Sequence, residues 1–202
     1  MNTANEIIKE GNTTTERALI LFDKLEIADL GFMLGRWKGT GLHTNHPMDG
    51  LLEAYNWYGK EFIDPDNVHP LLFLDRKNHI FRVNPRWIPL KLLVHFTMSR
   101  NKITKRVFLA MKWFLKTDKT TAKIRMMEYR GKVSATMIYD NLPVRDIFRK
   151  IDNNTLLGMM DLKGIDQPFF FILKRENNSQ QNRQKYPDAE QKQEEPRTSR
   201  VM

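Results

Sequence analysis

The chain has 202 residues, 41% of them hydrophobic, which suits one domain with a real core. It has no cysteine, so disulfides, thiol nucleophiles and zinc-thiolate sites are excluded. Its net charge of +9 admits an anionic partner, but Lys and Arg are spread along the chain without an RNP-type motif, zinc finger or recognition helix. A solvated basic surface is therefore expected, and nucleic acid is not.

In chain order, the polar first 13 residues read as a flexible start with no secretory signal pattern. Thr14 or Thr15 is placed to cap a helix, ERALILFDKL, whose apolar positions Ala18, Leu19, Leu21, Phe22 and Leu25 fall near helical spacing. IADLGFML reads as a second short turn. GRWKGTGLH then alternates like a strand, with Trp37, Gly39, Gly41 and His43 on one face. Pro47 to Gly50 is a turn, and Asp49 is placed to cap a short helix, GLLEAYNWY. PLLFLD and HIFRV read as a hairpin through Arg76, Lys77 and Asn78. KLLVHF is a further apolar run. Residues 102–116 form a basic amphipathic pattern, with Ile103, Val107, Ala110, Met111 and Phe114 on one side. That helix is expected to pack on its own domain or to touch an anionic membrane surface. KIRMMEYRGKVSATMIYD is two strands about the turn Arg130-Gly131-Lys132. LPVRDIFRKID reads as a short, helix-like connection. TLLGMMDLKG and QPFFFILKRE are two more strands, the last either covered on both faces or packed under the N-terminal helix. Residues 177–202 are rich in Asn, Gln, Glu and Lys, and read as a disordered polar tail.

The expected organisation is thus one mainly β domain over residues 14–176, with neighbouring antiparallel strands and one or two added helices. No apolar run has the length of a membrane span, and a cytoplasmic protein is expected.

A helix, a GxW strand and a run of antiparallel strands together resemble the calycin superfamily, which includes lipocalins, fatty-acid-binding proteins and nitrobindins. The resemblance implies a β-barrel in which Trp37 packs at the base under a basic residue of the last strand, Arg175 or Lys174. GRWKGTGLHTNHPMDGLLEAYNWYGKEF, VHPLLF, MMEYRGKVSATMIYD and MDLKGIDQPFFFILKR resemble more specifically an uncharacterised family. That family joins a GXWXG part, here residues 14–75, to a C-terminal domain of unknown function, here the meander of residues 120–176. No activity follows from the family. The barrel it implies is expected to hold a small hydrophobic molecule of the fatty-acid, terpenoid or tetrapyrrole class.

Trp37, Trp57, Met126, Met137 and Phe171 are the expected apolar walls, with His43, His69 and Glu128 as polar contacts; Trp37, Gly39 and Arg175 also have structural roles. If the protein is an isomerase or hydrolase, Glu128 and His43 are the candidate acid and base, Glu128 because Ile124 and Met126 share its strand face. His43 and His46 form an HxxH pair that His69, Asp49 or Glu53 would have to complete as a metal site, but i and i+3 point to opposite strand faces. A strand and turn is the favoured reading, without a metal. Nitrobindins hold haem through a late histidine, whereas the last histidine here is His95, so a haem ligand would have to be His43, His69 or His95. The carboxylates of Glu61 to Asp66 read as a solvated proline turn, and Tyr129 and Tyr139 as packing residues with polar tips.

Overall fold

The structure, a computed structural model, describes residues 4–87 and 112–176. Helices α1 (Ala4–Glu10) and α2 (Thr15–Lys24) open the chain, followed by strand β1 (Glu26–Ile27) and the short helix α3 (Leu30–Met33). Then come β2 (Gly35–Leu42), α4 (Leu51–Ala54), β3 (Trp57–Phe62), β4 (Val68–Leu74) and β5 (Ile80–Arg82). After α5 (Lys112–Leu115), five strands complete the chain: β6 (Ala122–Tyr129), β7 (Lys132–Tyr139), β8 (Val144–Asp152), β9 (Thr155–Leu162) and β10 (Phe169–Arg175).

Among the described residues these strands form one ten-stranded sheet in the order β1-β8-β7-β6-β4-β3-β2-β10-β9, with β5 on β4 and a further pairing of β8 with β9. Every pairing of named strands is antiparallel. The pairing of β8 with β9 brings the order back on itself. The circuit is uneven, because β4 meets β6 only at Val68 and Ala122. That seam is reinforced by the turn before β4: Ile124 donates its backbone N–H to the Pro65 carbonyl at 2.8 Å, and Arg125 reaches Pro65 and Asp66. The GXWXG part and the C-terminal meander share this sheet.

Alternation along the strands divides the apolar residues into two cores. One lies on the inner face and includes Trp37, Trp57, Phe62, Met137, Phe148, Phe171 and Leu173. The other lies between the outer face and the N-terminal helices, with Ala18 and Phe22 of α2 against Leu42, Ile147, Leu157, Met159, Phe170 and Ile172. The FFFIL run is therefore covered on both faces, one of them by α2. Thr14 is the N-cap of α2, its Oγ1 accepting from the Arg17 N–H at 3.2 Å. The β6–β7 turn has Arg130 at φ 52° and Gly131 at φ 74°, as a two-residue hairpin requires.

Four expectations are corrected. The first 13 residues contain α1, whose Ile7 is buried in the second core. The expected helix GLLEAYNWY stops at Ala54; Asn56 takes φ 57° and the chain continues as β3. LPVRDIFRKID is not a connection but holds the whole of β8, paired on both sides. The expected cap Asp49 instead turns back to accept the N–H groups of Thr44 and His46, both at 2.9 Å. KLLVHF, His95, most of the 102–116 pattern and the tail 177–202 lie outside the described residues.

Candidate functional site

The base of the inner core is closed by α3. Trp37 is fully buried, and its Nε1 donates to the Met33 carbonyl at 2.7 Å. Arg175, paired with Trp37 across β10 and β2, lies over the indole at 4.1 Å. Its guanidinium donates to the carbonyls of Leu34 at 2.9 Å and Phe32 at 2.7 Å. Of the two expected partners of Trp37, Arg175 takes the role and Lys174 is exposed. At the other end of β2, Met48, Leu51, Leu52 and Tyr55, from the turn after His43 and from α4, join the same inner core.

Between these ends two aromatic rings occupy slots left by glycines. A Cβ on Gly39 would come within 2.1 Å of the Trp57 ring, and one on Gly158 within 2.2 Å of the Phe171 ring. Trp57 and Phe171 meet edge to face at 5.8 Å, and Phe171 meets Phe148 at 6.2 Å.

Inside this aromatic cluster lies a polar group that sequence reasoning missed. Lys60 Nζ is 2.8 Å from Asp146 Oδ2, and the two side chains are 3% and 1% exposed. Lys60 also donates to the Pro70 carbonyl at 3.2 Å and the Tyr139 hydroxyl at 3.3 Å. Tyr139 in turn donates to Asp146 Oδ2 at 3.3 Å. Pro70 has no N–H for the ladder, and its carbonyl is turned to the ammonium. The ammonium lies 5.0 Å from the Phe171 ring centre and 5.6 Å from that of Trp57. Complete burial pushes the Asp146 carboxyl up, against the pull of the Lys60 charge and its hydrogen bond. Burial, with the neighbouring Asp146 charge, holds the Tyr139 phenol well above its ordinary value. Such a cluster can orient the polar end of an apolar molecule, or exchange a proton with it.

Of the expected site residues, Trp57, Met137 and Phe171 share this interior, and Met137 is paired directly with Asp146 across β7 and β8. Met126 and Glu128 are exposed, so the enclosed carboxylate expected at Glu128 is corrected. The physical reason is that only the Ala122 end of β6 meets β4, and the hairpin runs out beyond the core. His43 is exposed, its Nε2 4.0 Å from Glu53 Oε1. His46 stabilises a turn, its Nδ1 accepting from the Met48 N–H at 3.1 Å. Burial lowers its pKa. His69 is buried and pairs with Glu61, which accepts from Arg36 and Arg82 at 2.8 Å each. Burial, then the Arg82 charge, lowers the His69 pKa. Residues paired across a ladder share a sheet face, so His69 stands with this ion cluster and not with Lys60. Among the described residues no three His, Asp or Glu side chains are grouped to hold a metal ion. No described helix is long and apolar enough to cross a membrane.

Lys60 and Asp146 went unread because neither β3 nor β8 was read as a strand there. A signal exists in VRDIFRK: once read as a strand, Val144, Asp146 and Phe148 share one face, a carboxylate between two apolar side chains.

No curated protein matches the chain. Residues 20–78 match the family described as GXWXG protein, and residues 120–175 match a domain of unknown function (DUF4334). The crystal structure of a protein from Thermomonospora curvata is similar at 30% identity, covering 86% of this chain and 95% of that one with a TM-score of 0.65. The two matches in one chain, in this order and with such a relative, show that it belongs to the family of GXWXG proteins that carry a C-terminal domain of unknown function.

Proposed function

We propose that the sheet works as a calycin-type barrel whose interior binds a small, mainly apolar molecule, its polar end set against the enclosed cluster that Lys60, Asp146 and Tyr139 form. The ring-like pairing order and the Trp37–Arg175 closure support the barrel. The single observation that carries the binding reading is the Lys60–Asp146 pair, enclosed at 2.8 Å among aromatic rings. Replacing a buried ion pair by apolar side chains of similar volume is often neutral or stabilising, so a pair retained at the centre of an apolar interior points to a ligand. Trp57, Met137 and Phe171 are the walls in this reading. His43, Glu128 and Met126, exposed on this structure, move out of it. The protein acts in the cytoplasm on a small molecule, with its basic surface solvated.

Native mass spectrometry of protein purified from cells, with an absorption spectrum, tests this. A co-purifying mass that leaves on denaturation, and is lost in Lys60→Met, is the expected result. A bare chain mass together with no uptake of dodecanol, dodecanoate or geraniol would overturn it. A Soret band would instead favour a tetrapyrrole.

A second reading keeps the same interior but makes it an isomerase or hydrolase. The pairing of a phenol and a carboxyl, both pushed up by burial beside an ammonium, favours it. The acid–base pair moves from His43 and Glu128 to Tyr139 and Asp146. Tyr139→Phe separates the two: a binder keeps most of its affinity, whereas an enzyme loses its turnover.

A further inference from the structure

The Lys60 ammonium has three protons and reaches three acceptors: Asp146 Oδ2 at 2.8 Å, the Pro70 carbonyl at 3.2 Å and the Tyr139 hydroxyl at 3.3 Å. None is left over for a ligand. Tyr139 directs its own proton to Asp146 Oδ2 at 3.3 Å. Two buried side chains beside this ammonium each keep an atom without a partner among the described residues: Asp146, whose Oδ1 accepts, and Trp57, whose Nε1 donates and whose ring centre lies 5.6 Å from the ammonium. Asp146 is 1% exposed and Trp57 7%. An unmet carboxylate oxygen and an unmet indole N–H in one apolar interior each cost free energy unless something fills both.

We infer that the polar end of the ligand is a hydroxyl group, donating to Asp146 Oδ1 and accepting from Trp57 Nε1. This rests on the reading of the interior as a binding site and names the chemical class it takes: an apolar alcohol. A carboxylate fits poorly. It sets a second negative charge beside Asp146 and finds no unused ammonium proton. A ketone accepts from Trp57 but leaves Asp146 Oδ1 unmet, and a hydrocarbon leaves both unmet. Sites built to hydrogen-bond a hydroxyl discriminate strongly against analogues that lack it, because their own buried groups are then left unpaired.

Isothermal titration of the full chain at about pH 8, where simple carboxylic acids are ionised, tests the inference with two matched pairs: dodecanol against dodecanoate, and geraniol against geranate. The alcohols are expected to bind at least about tenfold tighter than their acids. Trp57→Phe, which keeps an aromatic ring but removes the indole N–H together with its five-membered ring, should shrink that ratio several-fold, as should Asp146→Asn if it folds; comparing each alcohol with its own acid cancels the loss of ring volume, which both share. Acids that bind as tightly as the alcohols overturn the hydroxyl assignment while leaving the interior as a binding site. A preference that persists unchanged in Trp57→Phe also overturns it, by locating the discrimination elsewhere. Failure of all four compounds to bind, with no co-purifying mass, overturns both readings.

Discussion

Removing the Lys60 ammonium would leave the Asp146 carboxylate enclosed without its partner at 2.8 Å. Breaking a buried pair from one side costs about 3–5 kcal/mol, whereas replacing both partners by apolar side chains is often neutral. Lys60→Met is therefore expected to lose stability on that scale in urea unfolding. Lys60→Met with Asp146→Leu should regain most of it, yet stay unable to bind the proposed ligand. If the single variant lost less than about 1 kcal/mol, the pair would behave as a solvated surface bridge and the binding argument would collapse. The same residues show what made the site hard to read in the sequence. A lysine and an aspartate 86 positions apart acquire meaning only once β3 and β8 face each other across the interior. Met137 and Phe171 were legible as interior residues, because large apolar residues on strands have few other places to go, whereas Trp57 was expected on a helix and reaches the same interior from β3. Glu128 was misread for a related reason: face alternation says which side of β6 it takes, but not that β6 leaves the core before reaching it.

The glycines of β2 and β9 act through the rings they admit. A Cβ on Gly39 would meet the Trp57 ring at 2.1 Å, so Gly39→Ala must displace that ring or the strand. Overpacking of this kind costs about 1–3 kcal/mol. Loss of thermal stability together with a changed near-ultraviolet circular dichroism signal is expected. An unchanged aromatic signal would mean that Trp57 does not fill this slot.

At the base, α3 is held to the sheet by the guanidinium of Arg175, which binds two carbonyls and covers Trp37. Arg175→Met should cost about 2–3 kcal/mol, since hydrogen bonds to charged groups contribute about 1.5–3 kcal/mol each and one carbonyl regains water. Arg175→Lys should recover little, because a single ammonium cannot span both carbonyls and lie over the indole. Equal stability of the lysine variant and the wild type would show that charge alone suffices.

Glu61 lies on the outer face, where it accepts from Arg36 and Arg82. Burial pushes the Glu61 carboxyl up, but hydrogen bonds from Arg82 and Arg36 outweigh it and hold the group below its ordinary value. A carboxyl depressed in the folded state adds stability above its unfolded pKa and loses it as the pH falls through the folded one. Glu61→Gln should therefore lose most stability near neutral pH and little in acid, so that its urea midpoint changes less with pH than that of the wild type. Parallel profiles would show that Glu61 titrates alike in both states. The hairpins were legible at this scale because turns such as Arg130-Gly131 have local chemistry. β1 and the course of β8 were not, because their pairing depends on distant partners.

Across the whole molecule, the unevenness of the sheet sets where it opens. β8 and β9 are paired along both edges over much of their length. β6 is paired with β7 throughout, but among the described residues its other edge is held at Ala122 and by the turn at Pro65 and Asp66. Local opening occurs where few backbone bonds must break together. Hydrogen exchange should therefore show β6 and the start of β4 exchanging through openings of lower free energy than β8 and β9. The Lys60 ammonium binds the carbonyl of Pro70, two residues beyond the seam contact at Val68, so a molecule seated on the cluster is coupled to this edge. A ligand that binds only the closed form stabilises it by mass action. Added dodecanol should then slow exchange in Val68–Leu74 and Ala122–Tyr129 more than in Val144–Leu162. Slowing confined to β8 and β9 would place the opening elsewhere, and uniform exchange across the sheet would show that the seam is no weaker than the rest of the circuit.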